Sequence, residues 1–212
     1  KKYEVIYISD EVVTAFGRLG HFFSSEDEFE ILPDIITTAK GITSGYFPLG
    51  AVLISNKLME DIKKDSALFY HGYTYSGHPA ACAAALKNIE ILKRDKILEN
   101  VKKISPYFFK RLNELFNIPI VGDVRGMGLM AGIECVIDKN SKNPLNLDKA
   151  IASRIDEESL KLGLIIRPLY HICVLSPALI ITKEQVDDLC NKLYQAINNS
   201  FEKLKYEGLW SE

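Results

Sequence analysis

Three residues and one short segment have the types and settings from which chemistry could be built. Asp10 closes the apolar run Glu4-Val5-Ile6-Tyr7-Ile8-Ser9, whose β-branched and aromatic residues predict a buried strand of a parallel sheet. A carboxylate at the C-terminal end of such a strand lies where α/β sheets bind ligands. It could pair with a cationic ring nitrogen or a metal; a helix cap or a surface acid is the plainer role. Lys40 follows a second short strand, opened by Pro33 and running from Asp34 to Thr38, and precedes Gly41. It too stands at a strand's C-terminal end. A lysine partly desolvated there becomes nucleophilic through a lowered pKa, whereas an ordinary lysine snorkels to water. The segment His71-Gly72-Tyr73-Thr74-Tyr75-Ser76-Gly77-His78-Pro79 is dense in hydroxyls and leads into a helix N-terminus, the makings of a phosphate cradle. Its histidines as metal ligands, or its aromatics as core, are the competing readings. Arg167, between an apolar run and Pro168, calls for an anion: a substrate carboxylate held bidentately, or a structural ion pair.

These residues need a frame. A third strand is expected over Ala51–Ser55, then a short helix over Asn56–Asp61. Apolar runs separated by loops and helices favour an α/β sheet over an antiparallel sandwich. Pro79 suits the first turn of a helix, and the alanine-rich run behind it, Ala80 to Leu86, has high helix propensity and side chains small enough for close approach. Ile97, Val101, Ile104, Phe108, Leu112 and Leu115 recur at three- and four-residue steps, one apolar face of a helix in which Pro106 could introduce a kink or a new start. Residues 94–100 are the expected crossing between two lobes. Beyond it, a compact α+β module is expected. Strand material spans Ile118–Val136 around the turn Arg125-Gly126-Met127-Gly128, which lacks the spacing of a dinucleotide-binding loop. A polar loop follows over Asp138–Pro144. A helix over Ala150–Leu162 is closed by Gly163, strands follow over Leu164–Arg167 and Ile172–Ser176, and a last helix over Lys183–Leu204 is capped by Thr182.

The 212 residues suffice for one large or two small domains with a real core. A hydrophobic fraction of 47% excludes wholesale disorder, and a net charge of −2 gives no overall pull toward nucleic acid. No apolar run approaches a membrane span, so neither nucleic acid nor a membrane is an expected partner. The four cysteines, at 82, 135, 173 and 190, form no C-x-x-C, and the expectation is reduced thiols in a cytoplasmic protein. The chain opens on Lys1 with a strand already under way, as expected of a piece of a longer protein.

Together, Asp10 to Arg18 (DEVVTAFGR), Pro33 to Gly41 (PDIITTAKG) and His71 to Pro79 (HGYTYSGHP) resemble the class III aminotransferases, pyridoxal 5'-phosphate (PLP) enzymes of fold type I. The resemblance runs from about residue 3 to about residue 205. It implies an α/β fold: residues 1–98 as the C-terminal part of the large PLP-binding domain, a mostly parallel sheet with helices, and 99–212 as the small α+β domain. It implies roles as well. Lys40 matches the Schiff-base lysine, Asp10 the carboxylate on the pyridinium nitrogen, and Val12 the apolar residue on the ring face. Thr74 matches the threonine that reaches the cofactor phosphate of the neighbouring subunit, which implies a homodimer with shared active sites. Arg167, with Val174-Leu175-Ser176-Pro177 downstream, resembles the mobile arginine of the ω-amino-acid:pyruvate branch, which clamps a substrate carboxylate.

The implied activity is transfer of an amino group from an amine or ω-amino acid to a 2-oxo acid such as pyruvate. Family members are longer, and their glycine/serine-rich phosphate loop and ring-stacking aromatic have no counterpart here. A catalytically incomplete polypeptide that only binds a partner, or another class III enzyme such as an aminomutase, are the alternatives.

Overall fold

The computed structural model describes residues 3, 5–64, 70–140 and 150–210. The chain divides into two compact units, Lys1–Asn100 and Val101–Glu212.

In the first unit, β1 (Ile8–Asp10) and β2 (Ile35–Thr38) pair in parallel with Asp10 opposite Thr37, and β3 (Ala51–Ile54) pairs antiparallel to β2. The sheet is therefore small and mixed, in the order β1-β2-β3. The four-residue α1 (Ser24–Asp27) lies between β1 and β2, while α2 (Asn56–Lys64) and the long α3 (Pro79–Arg94) follow β3. The expectation of a buried first strand is not met. Pairing begins only at Ile8, and Val5, Ile6, Tyr7 and Ile8 are exposed, Ile8 by 56%. A strand is buried only when layers cover both faces of its sheet. Here the apolar cluster gathers instead beside the loops at the strand ends, where Phe16, Ile42, Ala85 and Leu92 are buried together. The alanines of α3 do allow close approach, since Ala81 and Ala85 are buried on the face that meets the turn after β2.

In the second unit, four antiparallel strands run in the order β4-β5-β7-β6: β4 (Val121–Met127), β5 (Met130–Cys135), β6 (Arg167–Leu169) and β7 (Ile172–Leu175). Helix α4 (Ile97–Asn113) from Val101 onward, with α5 (Ile151–Lys161) and α6 (Lys183–Tyr206), completes an α+β module. The periodic face of α4 enters the core through Val101, Phe108 and Leu112, and the helix runs unbroken past Pro106. Thr182 caps α6 in a reciprocal capping box with Gln185, which satisfies two backbone donors at once. Two local expectations shift. Arg125 to Met127 lie within β4 rather than in a turn, and the hairpin reverses at Gly128-Leu129 with Gly128 at φ 59°, as glycine in a two-residue hairpin loop allows. The strand expected over 164–167 starts at Arg167, because pairing with β7 defines it, and Ile165 is left exposed. The polar loop expected over 138–144 lies in part outside the described residues. No helix among the described residues is long and apolar enough to cross a membrane.

Candidate active site

Parallel pairing brings the C-terminal ends of β1 and β2 side by side, and with them Asp10 and Lys40. Beyond the register pair Asp10–Thr37, the Glu11 N–H donates to the Thr37 carbonyl at 2.8 Å, and the Thr38 hydroxyl donates to the Glu11 carbonyl at 3.4 Å. Asp10 is exposed, and its Oδ1 accepts the Val12 N–H at 3.1 Å. This short-range bond turns the chain at the strand end and ties Val12, half-buried, to the carboxylate.

Lys40 opens a short 3₁₀ turn, Lys40–Ile42, with its own backbone at φ 38°. Left-handed backbone in a residue other than glycine is strained by roughly 1–2 kcal/mol and persists only where the surroundings over-determine it. Gly41 shows part of that constraint. A Cβ there would lie 2.8 Å from Phe16 Cβ and 3.2 Å from the Ala15 carbonyl oxygen. The backbone after Lys40 is thus pressed against the loop that follows Asp10, which only glycine permits. The Lys40 side chain is exposed, so the desolvated lysine envisaged from the sequence is not what the described residues build around it.

The buried partner of this arrangement is Glu11, which sequence reasoning passed over. Its carboxylate is 1% exposed and accepts the Ser24 N–H (2.8 Å), the Ser25 N–H (2.8 Å) and the Thr14 hydroxyl (3.1 Å). It caps α1 and locks the loop between Asp10 and β2. Its two backbone partners lie 13 and 14 residues onward, beyond any local pattern; the local signal was an acidic residue directly after a strand-end aspartate, with a threonine three residues on.

The hydroxyl-rich segment forms a turn in which the Ser76 hydroxyl accepts the Tyr73 N–H at 2.8 Å, leaving Thr74 exposed. His78 caps α3, its Nδ1 accepting the Ala81 N–H at 3.4 Å, and its ring stacks on Phe47 at 5.7 Å. Core aromatics are ruled out here, since Tyr70, Tyr73 and Tyr75 are all about four-fifths exposed or more. Among the described residues no group of three or more His, Cys, Asp or Glu side chains could hold a metal ion. Arg167 stands in the second unit, exposed, at the start of edge strand β6 and opposite Val174. Asp10, Val12 and Lys40 therefore share one strand-end edge, Thr74 sits on the segment entering α3, and Arg167 belongs to the other unit.

A model of the family described as Aminotransferase class-III matches residues 1–197. The chain belongs to the class III aminotransferases. It is 41% identical to the putrescine–pyruvate aminotransferase of Pseudomonas aeruginosa over 189 residues, which is 89% of this chain and 41% of that protein. It is 39% identical to the probable gamma-aminobutyrate transaminase 3, mitochondrial, of Oryza sativa subsp. indica over 207 residues, 96% of this chain and 40% of that one. The PMP-bound aminotransferase of Vibrio fluvialis superposes with a TM-score of 0.88 at 38% identity, covering 95% of this chain and 45% of its own. A transaminase from the marine bacterium Virgibacillus superposes at 0.90 with 40% identity, covering 96% and 47%. The chain thus spans less than half the length of the relatives it matches.

PLP is the cofactor of class III aminotransferases. It asks for an amine to bond its aldehyde carbon and a carboxylate to pair with its ring nitrogen. Lys40 and Asp10 are an amine and a carboxylate of those kinds, accessible and on one edge, so the donor set fits the cofactor.

Proposed function

We propose that this chain supplies the lysine-bearing portion of an aminotransferase site that moves an amino group from an amine or ω-amino acid to a 2-oxo acid such as pyruvate. The observation that carries the reading is that Asp10 and Lys40 stand at the same end of two adjacent parallel strands, Asp10 as the last residue of β1 and Lys40 two residues past β2 in a strained turn. Bound PLP supplies an electron sink for the carbon from which a proton leaves. Lys40 Nζ would hold the cofactor, and the same amine would take the proton from the amine-bearing carbon of the donor and return one to the product. The Asp10 carboxylate would keep the ring nitrogen protonated, and Val12 would offer the ring an apolar contact. The Thr74 hydroxyl reaches the cofactor phosphate of a neighbouring subunit, which makes the working unit a homodimer. The Arg167 guanidinium holds a substrate carboxylate bidentately. Four free cysteines support a reducing, cytoplasmic setting.

Exposure of Asp10, Lys40 and Thr74, together with the uncovered residues Val5–Ile8, favours a second reading. In it, the chain is catalytically incomplete by itself and works only when joined to a partner polypeptide.

The test is incubation with PLP, borohydride reduction and mass mapping. Label fixed on Lys40 and abolished by Lys40→Ala supports the cofactor site. Label scattered over surface lysines in the wild type refutes it for the lone chain and leaves the partner-dependent reading.

A further inference from the structure

The buried stripe of α3 runs Ala81, Ala85, Leu92 at helical spacing, and Asn88 interrupts it. A polar residue on such a stripe needs partners. Asn88 finds them 44 to 47 residues back, in the turn that Lys40 opens. Its Nδ2 donates to the Gly41 carbonyl at 2.9 Å and to the Ile42 carbonyl at 3.1 Å, while its Oδ1 accepts the Ser44 hydroxyl at 2.8 Å. Two donors meet two carbonyls and one acceptor meets one hydroxyl. No other side chain of this length offers that set: aspartate would set a carboxylate against two carbonyls, and leucine would take the donor from the Ile42 carbonyl and leave the Gly41 carbonyl only the Ser44 N–H.

The turn has need of a clamp. Lys40 and Ser44 both lie in left-handed backbone, at φ 38° and 51°, with Gly45 beyond them at 80°. Its own bonds are short-range: Ile42 N–H to the Ala39 carbonyl, Thr43 N–H to the Lys40 carbonyl and Ser44 N–H to the Gly41 carbonyl. Gly41 against Phe16 and the buried Ile42 fix it from the side of the loop after Asp10. Asn88 fixes it from the side of the helix.

We propose that Asn88 is the positioning residue for Lys40. Its side-chain amide holds the 40–44 turn in the strained form that presents the lysine at the strand end. This rests on the reading of Lys40 as the cofactor-bearing lysine.

The experiment compares wild type with Asn88→Leu, Asn88→Asp and Ser44→Ala by two readouts. The first, made without cofactor, is amide hydrogen exchange resolved into residues 40–46 and helix 79–94. Loss of two hydrogen bonds predicts exchange about 10- to 100-fold faster at 42–46 in both Asn88 variants, with α3 unchanged and Ser44→Ala close to wild type. The second is the rate at which PLP followed by borohydride labels Lys40 relative to the other lysines, expected to fall in the same order. Even loss of protection across both segments means that Asn88 only stabilises the unit, and overturns the proposal. Unchanged exchange at 42–46 overturns it too. So does wild-type-like labelling of Lys40 in Asn88→Leu when the turn has loosened, because the turn would then not govern the lysine. Wild-type label on lysines other than Lys40 instead defeats the reading of Lys40 itself, and the proposal with it, whatever the exchange shows.

Discussion

Replacement of Glu11 separates a charged buried acceptor from a merely polar one. The Glu11 carboxylate is shut away from water and takes three hydrogen bonds, two of them from the backbone N–H groups of Ser24 and Ser25, which are themselves buried. Glu11→Ala strands both N–H groups. At about 1–3 kcal/mol for each buried donor left unpaired, the loss comes to roughly 2–6 kcal/mol, reduced by any water that enters the space. Glu11→Gln keeps one carbonyl oxygen but turns an NH₂ toward a backbone N–H. It forfeits a hydrogen bond to a charged group and adds a donor facing a donor, for about 2–3 kcal/mol. Thr14→Ala removes only the longest and least buried of the three bonds and should cost about 1.5 kcal/mol, the low end for a bond to a charged group. The expected order of destabilisation is Glu11→Ala, Glu11→Gln, Thr14→Ala. Urea titration read by hydrogen exchange of residues 11–31 follows the first unit without interference from the second. Because Glu11 also carries the backbone that holds Asp10 beside β2, PLP labelling of Lys40 should weaken in the same order. If Glu11→Gln matches wild type in the protection of residues 11–31, the carboxylate contributes no more than a neutral acceptor and the reasoning fails.

Glu158 of α5 is buried between Lys161 and Lys203, whose hydrogen bonds at 2.6 and 2.5 Å push its carboxyl down to about 2. A depressed carboxylate contributes stability that is complete above its unfolded pKa near 4.5 and is lost as pH falls toward 2. Both lysines are more than half exposed, so screening reduces the effect to about 1–2 kcal/mol, and Glu158→Gln should flatten the acid limb of the stability–pH curve over that window. Arg167→Ala, assayed in the assembled enzyme, should raise KM about 10- to 100-fold for an amino donor bearing a carboxylate, consistent with loss of a charge-assisted bidentate contact, and leave a simple amine nearly unaffected. Equal losses on both donors would remove the carboxylate role.

The parts of the fold legible in the sequence are those whose causes are local. Helix α6 announces itself through Thr182 as its cap and α4 through one apolar face, whereas the reciprocal bond from Gln185 and the unbroken run past Pro106 emerge only in the structure. Asp10 and Lys40 are legible because each follows a short β-branched run. What sequence periodicity misses is set by pairing and layering. Leu164 to Ile166 read as strand on apolarity alone, yet Gly163 at φ 74° has just ended α5, and the ladder begins only at Arg167, where β7 offers a partner. Val5 to Ile8 read as buried because such residues usually are, but burial requires covering layers that no property of the run itself reports. Glu11 and Asn88 escaped notice for one shared reason: each is a polar residue whose backbone partners are long-range.

The placement of the first unit's core explains why these two missed residues matter. A three-stranded mixed sheet with Val52 and Ile8 exposed contributes little burial of its own. The tightly packed part is instead the junction of three pieces: the loop after Asp10 through Phe16, the turn after β2 through Ile42, and α3 through Ala85 and Leu92. Polar contacts follow the same map. Glu11 binds the Asp10 loop to the start of α1, Gly41 lets that loop touch the Lys40 turn, and Asn88 ties the turn to α3. Packing and hydrogen bonding in this unit are therefore concentrated on the loop after Asp10, the turn that Lys40 opens and the helix that ties them, so that a change in any one of the three is expected to move the other two.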